Sequence, residues 1–278
     1  MTTVRKMPVG TQSFQILQEN DFVYIDKTRY IYQLVSQSRV YFLSRPRRFG
    51  KSLLLSTLAA YFQGKRELFK GLYLEEAEEE LAKQEGREAW MQYPVLYLDL
   101  NTENYQSIEE LENILCTHLE AWEALYGKNE VERTLSSRFK GVIQRIYEKT
   151  GQQVVVLIDE YDKPLLDTIN KPKLNTVYRD ALGAFYSVIK SCDQYLRFAF
   201  LTGVTKFSKV SVFSGLNKSS RHKSIVRLCG DLWYHRARIA NEFCARTRNI
   251  GERTRSNARG SSCNVETTLR WLLICPTR

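Results

Sequence analysis

Apolar residues in this chain gather into four short, nearly unbroken runs: VYFLS (40–44), YPVLYLDLN (93–101), VVVLI (154–158) and RFAFLTG (197–203). Runs of this length, rich in β-branched, leucine and aromatic residues, predict strands, and the unbroken run Val154–Ile158 predicts one buried on both faces of a parallel sheet. Between them the apolar positions recur at helical spacing. Asp26 or Thr28 is placed to cap a helix that carries Tyr30, Ile31 and Leu34 inward, preceded by a short extended piece ending at Tyr24 and Ile25. A leucine-rich helix runs from the first strand's loop to about Phe62, with Leu53, Leu54, Leu55, Leu58 and Ala59 on its apolar face. Further helices are predicted over Ser107–Tyr126 (Ile108, Leu111, Ile114, Leu115, Leu119), Arg133–Lys149 (Phe139, Val142, Ile143, Ile146, stopping at Gly151) and Tyr178–Lys190 (Ala181, Leu182, Phe185, Val188, Ile189). Lys65–Gly86, with its glutamate run over 75–80, reads as a solvated helix face. Strands alternating with helices predict an α/β fold.

Charge changes this picture at one end only. The 278 residues carry a formal net charge of +10, yet residues 1–217 hold 28 Lys+Arg against 27 Asp+Glu, whereas residues 218–278 hold 13 against 4. Attraction to a phosphate backbone therefore concerns the last stretch alone. No apolar run approaches the roughly 18 residues of a membrane helix, and the start MTTVRKMPVG lacks the apolar centre of a signal peptide. A cytoplasmic protein without a membrane partner is expected. The six cysteines show no CxxC spacing, which argues against a zinc site or a disulfide framework. Cys116 and His118 read as interior or rim residues rather than ligands.

The chemistry lies at the ends of the predicted strands. After VYFLS comes Arg45-Pro46-Arg47-Arg48-Phe49-Gly50-Lys51-Ser52-Leu53, a turn that opens a helix. Backbone N–H groups of such a loop and the helix N-terminus face a polyphosphate. Lys51 would neutralise β/γ oxygens and the Ser52 hydroxyl would hold Mg²⁺. The usual pattern G-x-x-x-x-G-K-[ST] has glycine where this chain has Arg45. Some hundred residues on, VVVLI ends in Asp159 and Glu160. Ligands of open α/β sheets bind at the carboxyl ends of strands, so these acids arrive at the same edge as the loop, and the spacing lets a strand lie between the two motifs. Asp159 would coordinate Mg²⁺, and Glu160 would position and deprotonate the attacking water. Thr202, at the end of the next run, would report on the γ-phosphate or orient that water, with Thr205 as the fallback. Asp26-Lys27-Thr28 reads first as part of a packed helix start, and second as a neighbour of the nucleotide.

The wording YIDKT (24–28), SRPRRFGKS (44–52), VVVLIDEYDKPL (154–165) and FLTGVTKFSKVSVFSGLN (200–217) resembles the bacterial AAA-ATPase-like domain family over roughly residues 7–217. That resemblance implies a P-loop NTPase core with a mainly parallel sheet flanked by helices, ATP and Mg²⁺ as ligands, and arginine at position 45 as the family's ordinary form. It also implies a C-terminal domain similar to PD-(D/E)XK nucleases, which residues 218–278 do not match.

In that last stretch arginine outnumbers lysine 11 to 2, against 13 to 15 before it, and four of the six cysteines fall there. The hypothesis that fits this joint change is a shifted reading frame near residue 218, giving a poorly ordered basic tail. Reading the source DNA in the other two frames tests it, and the hypothesis fails if neither resumes the family's continuation. The competing reading is a basic arm for nucleic acid, with Trp233, Tyr234 and Trp271 as its aromatic residues. The expected function is ATP binding with Mg²⁺ and hydrolysis. A non-catalytic nucleotide module or inactive remnant, and behind these a phosphate-loop kinase without need of Glu160, are the alternatives. Arg47 and Arg48 are candidates for action on phosphate or between subunits, so self-association stays open.

Overall fold

The computed structural model describes residues 6–205. The part of the fourth motif beyond Thr205, the basic tail and its aromatic residues lie outside the described residues. Four parallel strands form one sheet: β1 (Val40–Ser44), β2 (Val95–Asp99), β3 (Val154–Asp159) and β4 (Leu196–Gly203), in the order β1-β4-β3-β2. The strand between the loop-bearing β1 and the acid-bearing β3 is therefore β4, the last in sequence. Every residue of β3 is buried, which its unbroken apolar run requires.

Helices cover both faces. On one, α5 (Ile108–Tyr126), α6 (Leu135–Thr150) and α8 (Pro172–Ser191) pack Leu115, Leu119, Phe139, Ile143, Phe185 and Ile189 against Leu98, Val156, Ile158 and Leu201. On the other, α2 (Thr28–Gln37), α3 (Lys51–Phe62) and α4 (Tyr73–Glu85) set Leu34, Leu55, Leu58 and Leu74 in one cluster with Leu43, Leu157, Phe198 and Phe200. The short helices α1 (Phe14–Glu19) and α7 (Lys163–Asp167) complete the list. Gly151 closes α6 in the left-handed conformation, as expected of a helix stop. Among the described residues no helix is long and apolar enough to cross a membrane.

Two expectations are corrected. Ile108, the first residue of α5, is 41% exposed rather than inward. The stretch 65–86 is not a merely solvated face. Leu68, Phe69, Leu74, Leu81 and Ala82 are buried, and so is Glu78 at 1% exposure. Its carboxylate accepts hydrogen bonds from Tyr61 Oη (2.5 Å), Arg87 Nη1 (2.6 Å) and Trp90 N (3.2 Å), partners that offset the cost of burying a charge.

The YIDKT segment takes a structural role here. Asp26 Oδ1 accepts Thr28 N (2.8 Å) at the start of α2, and its Oδ2 accepts Tyr73 N (2.7 Å) at the start of α4. Thr28 Oγ1 accepts Leu74 N at 3.1 Å. One carboxylate thus serves two helix N-termini, where unpaired N–H groups favour an anion.

Candidate functional site

The loop between β1 and α3 is shaped by two left-handed residues, Arg48 (φ 66°) and Gly50 (φ 70°). Position 45 is not among the positive-φ residues, so the backbone does not demand glycine there and arginine fits. A backbone of alternating hand is the kind in which successive N–H groups can face one anion. Lys51, only 4% exposed, lies beneath the loop rather than above it. Its Nζ donates to the carbonyls of Arg45 (3.2 Å) and Pro46 (3.5 Å) and pairs with Glu160 Oε1 at 3.0 Å. Pro46, Arg47 and Arg48 are exposed at the loop crest, and Phe49, Ser52 and Leu53 are half-buried.

Across the sheet, Asp159 ends β3 at 3% exposure. Its Oδ1 accepts the Thr202 hydroxyl and Glu160 N (3.0 Å). Both hydrogen bonds described for Asp159 fall on Oδ1. Glu160 turns sharply off the strand at φ 52°, a strained setting for a residue with a Cβ. The strain is held by Tyr161 N on Thr202 O (2.8 Å) and Lys163 N on Glu160 O (2.9 Å). Burial lifts the Glu160 carboxyl above the ordinary range, Lys51 works against that lift, and Asp159 and Asp162 add to it.

A cleft of about 400 Å³ is lined by Ser52, Ser56 and Ala59 of α3 with Gln63 just past its end, by Val95, Tyr97 and Asp99 of β2, by Asp159, and by Gln12 and Ser13. The structure thus brings Lys51 to Glu160, Thr202 to Asp159, and Ser52 and Asp159 to one cleft. Thr205 stands apart from Asp159, its hydroxyl donating to Asp162.

Asp99 escaped the sequence reading. It ends β2 in direct register with Asp159 and lines the same cleft as Ser52. Burial raises its carboxyl, the backbone N–H of Asn101 (2.8 Å) lowers it, and the neighbouring Asp159 raises it. The signal was available, because VLYLD ends as VVVLID ends: an apolar strand closing on an acid.

Residues 8–213 match the family described as Predicted AAA-ATPase. The chain belongs to this AAA-ATPase-like family. A protein of Azotobacter chroococcum mcd 1, described as an uncharacterized protein in the vnfD 5' region, is 42% identical over 215 residues, which are 77% of this chain and 40% of that protein. The chain thus spans about two fifths of the length of this curated relative. No solved structure matches. For an AAA-ATPase-like chain a nucleotide ligand is the general expectation, and the finer chemistry rests on the residues above.

Proposed function

We propose that this chain binds ATP with Mg²⁺ and hydrolyses it. The observation that carries the reading is the juxtaposition at one sheet edge: a buried lysine beneath a two-handed loop, ion-paired to an acid that follows a buried aspartate. The loop amides and Lys51 would hold the β/γ-phosphate oxygens, and phosphate would replace Glu160 as the partner of the ammonium. Glu160, released, would accept a proton from water.

The donor set fits Mg²⁺. Ser52 and Asp159, both with hard oxygen donors, line one cleft, and no cluster of three His, Cys, Asp or Glu able to hold a metal occurs among the described residues. Mg²⁺ commonly takes one or two protein oxygens and completes its shell with phosphate and water. When bound it supplies charge stabilisation to the transferring phosphoryl group.

Phosphate release by the full chain tests this. Glu160→Gln is expected to keep ATP binding and to lose about a hundredfold or more in turnover, within the range a positioned base supplies. Unchanged phosphate release in that variant would remove Glu160 from water activation. The acid limb of the wild-type pH profile is expected above the ordinary glutamate range near 4.3, because burial raises Glu160 and only the deprotonated form accepts a proton. Activity then rises with pH through that value, and the limb disappears in Glu160→Gln. Asp99→Asn removes the carboxylate beside Asp159. Half-maximal activity should then require about tenfold more Mg²⁺, in the range found for groups that orient metal ligands. Magnesium titration of the two proteins gives the answer, and coincident curves would exclude Asp99 from the metal's surroundings.

A further inference from the structure

Asp162 lies three residues beyond Asp159 and is fully buried. It occupies the N-cap position of α7, where an aspartate ordinarily accepts N–H groups of the helix it precedes, yet its side chain makes no capping bond. Its carboxylate turns instead to the residues that leave β4. Oδ1 and Oδ2 accept Val204 N at 3.1 and 3.0 Å, and Oδ2 accepts Thr205 N (2.5 Å) and the Thr205 hydroxyl. Between them the fit is tight: a Cβ at Gly203 would stand 2.4 Å from Asp162 Oδ1 and 2.7 Å from Tyr161 Cε1.

The gripped segment touches both halves of the candidate site. Thr202 places its hydroxyl on Asp159, and Gly203 O accepts the N–H of Arg45, the first residue of the phosphate loop, at 3.0 Å. Tyr161 closes the grip from the other side, its hydroxyl donating to Thr205 O (2.9 Å), while Tyr186 Oη donates to Tyr161 O (3.1 Å).

We infer that Asp162 is a positioning residue that locks the exit of β4, so that Thr202 stays on Asp159 and the start of the phosphate loop stays on Gly203. The inference rests on the ATPase reading for its kinetic consequence, but its mechanical content is a property of the protein without nucleotide. Asp162 acts through Thr202 and Arg45 and meets no substrate. A buried carboxylate taking several N–H donors holds them far more rigidly than a neutral amide, half of whose polar atoms are donors themselves.

The test compares Asp162→Asn, Thr205→Val and Thr205→Ser in the full chain, by residue-resolved amide exchange and by ATP turnover. Expected are at least tenfold faster exchange at Arg45 in Asp162→Asn, a kcat reduced at least tenfold, and a raised Mg²⁺ requirement. Thr205→Val should show the same pattern more weakly, and Thr205→Ser, which keeps the hydroxyl, should restore wild-type behaviour. If exchange quickens at Val204 and Thr205 alone while Arg45 and kcat hold their wild-type values, the grip is merely local and the inference is wrong. Absence of turnover in the wild type would strike the ATPase reading itself, and Arg45 exchange still decides the inference. Should Asp162→Asn fail to fold, Thr205→Val against Thr205→Ser decides by the same two measurements.

Discussion

Lys51→Ala is expected to weaken binding of Mg²⁺–ATP at least a hundredfold, with turnover falling below detection. The ammonium is 4% exposed, held by the Arg45 and Pro46 carbonyls and by Glu160 at 3.0 Å. It is therefore placed before any phosphate arrives, and little ordering is left to be done on binding. Charge-assisted hydrogen bonds from such a group contribute about 3 kcal/mol, which is about two powers of ten in affinity. A second consequence follows from what remains. Without Lys51 the half-buried Glu160 has lost its nearest opposite charge, so the variant should also unfold at lower urea. Lys51→Ala/Glu160→Gln should recover that stability without recovering binding. Titration calorimetry with Mg²⁺–ATP and urea unfolding on the three proteins check both statements. Wild-type affinity in Lys51→Ala would overturn the assignment of the loop to phosphate.

Phe198→Ala should cost about 3–5 kcal/mol of folding stability, the usual range for truncating a fully buried phenylalanine. Phe198 is 1% exposed in the middle of β4, flanked by β1 and β3. Its ring centroid lies 5.0 Å from Phe62, 5.6 Å from Tyr41 and 6.1 Å from Phe200. Truncation leaves a cavity between α3 and the sheet that these rigid rings cannot fill by small shifts. Against a typical total of about 5–15 kcal/mol, such a loss takes about a fifth of the margin or more. Urea denaturation followed by circular dichroism measures it. A loss under about 1 kcal/mol would mean that this cluster is not packed as described. Phe198→Leu, which restores most of the volume, should cost markedly less.

How much of this was legible in the chain varies with the range of the forces involved. The four strands and the long helices follow from local periodicity, and the order of loop, strand and acid follows from residue type. Glu78 shows the limit: within a run of glutamates nothing local marks the one that Tyr61, Arg87 and Trp90 surround. The start of α8 at Pro172 precedes the apolar repeat that reveals it, and the short α1 and α7 offer too few turns to show a period. At the site, Lys51, Ser52, Asp159, Glu160 and Thr202 could be named because each ends or opens an element. Asp162 could not, and Asp99, which also ends an apolar strand, was legible as a strand-end acid but not as the neighbour of Asp159. Asp99 gains its place only through the register of β2 on β3, and Asp162 through N–H groups some forty residues downstream.

The position of β4 also sets when the protein can come into being. Among the described residues β1 pairs with β4 alone, Val40 with Ala199 through Ser44 with Gly203, so that partner is made after β2 and β3. During synthesis β1 and its phosphate loop must wait, one strand edge unpaired, while more than a hundred further residues emerge. Sequence-distant pairing of this kind slows folding and leaves hydrophobic edges open meanwhile. A nascent chain that stops before Leu196 can pair β2 with β3 but leaves β1 and its phosphate loop without the strand that joins them to the sheet.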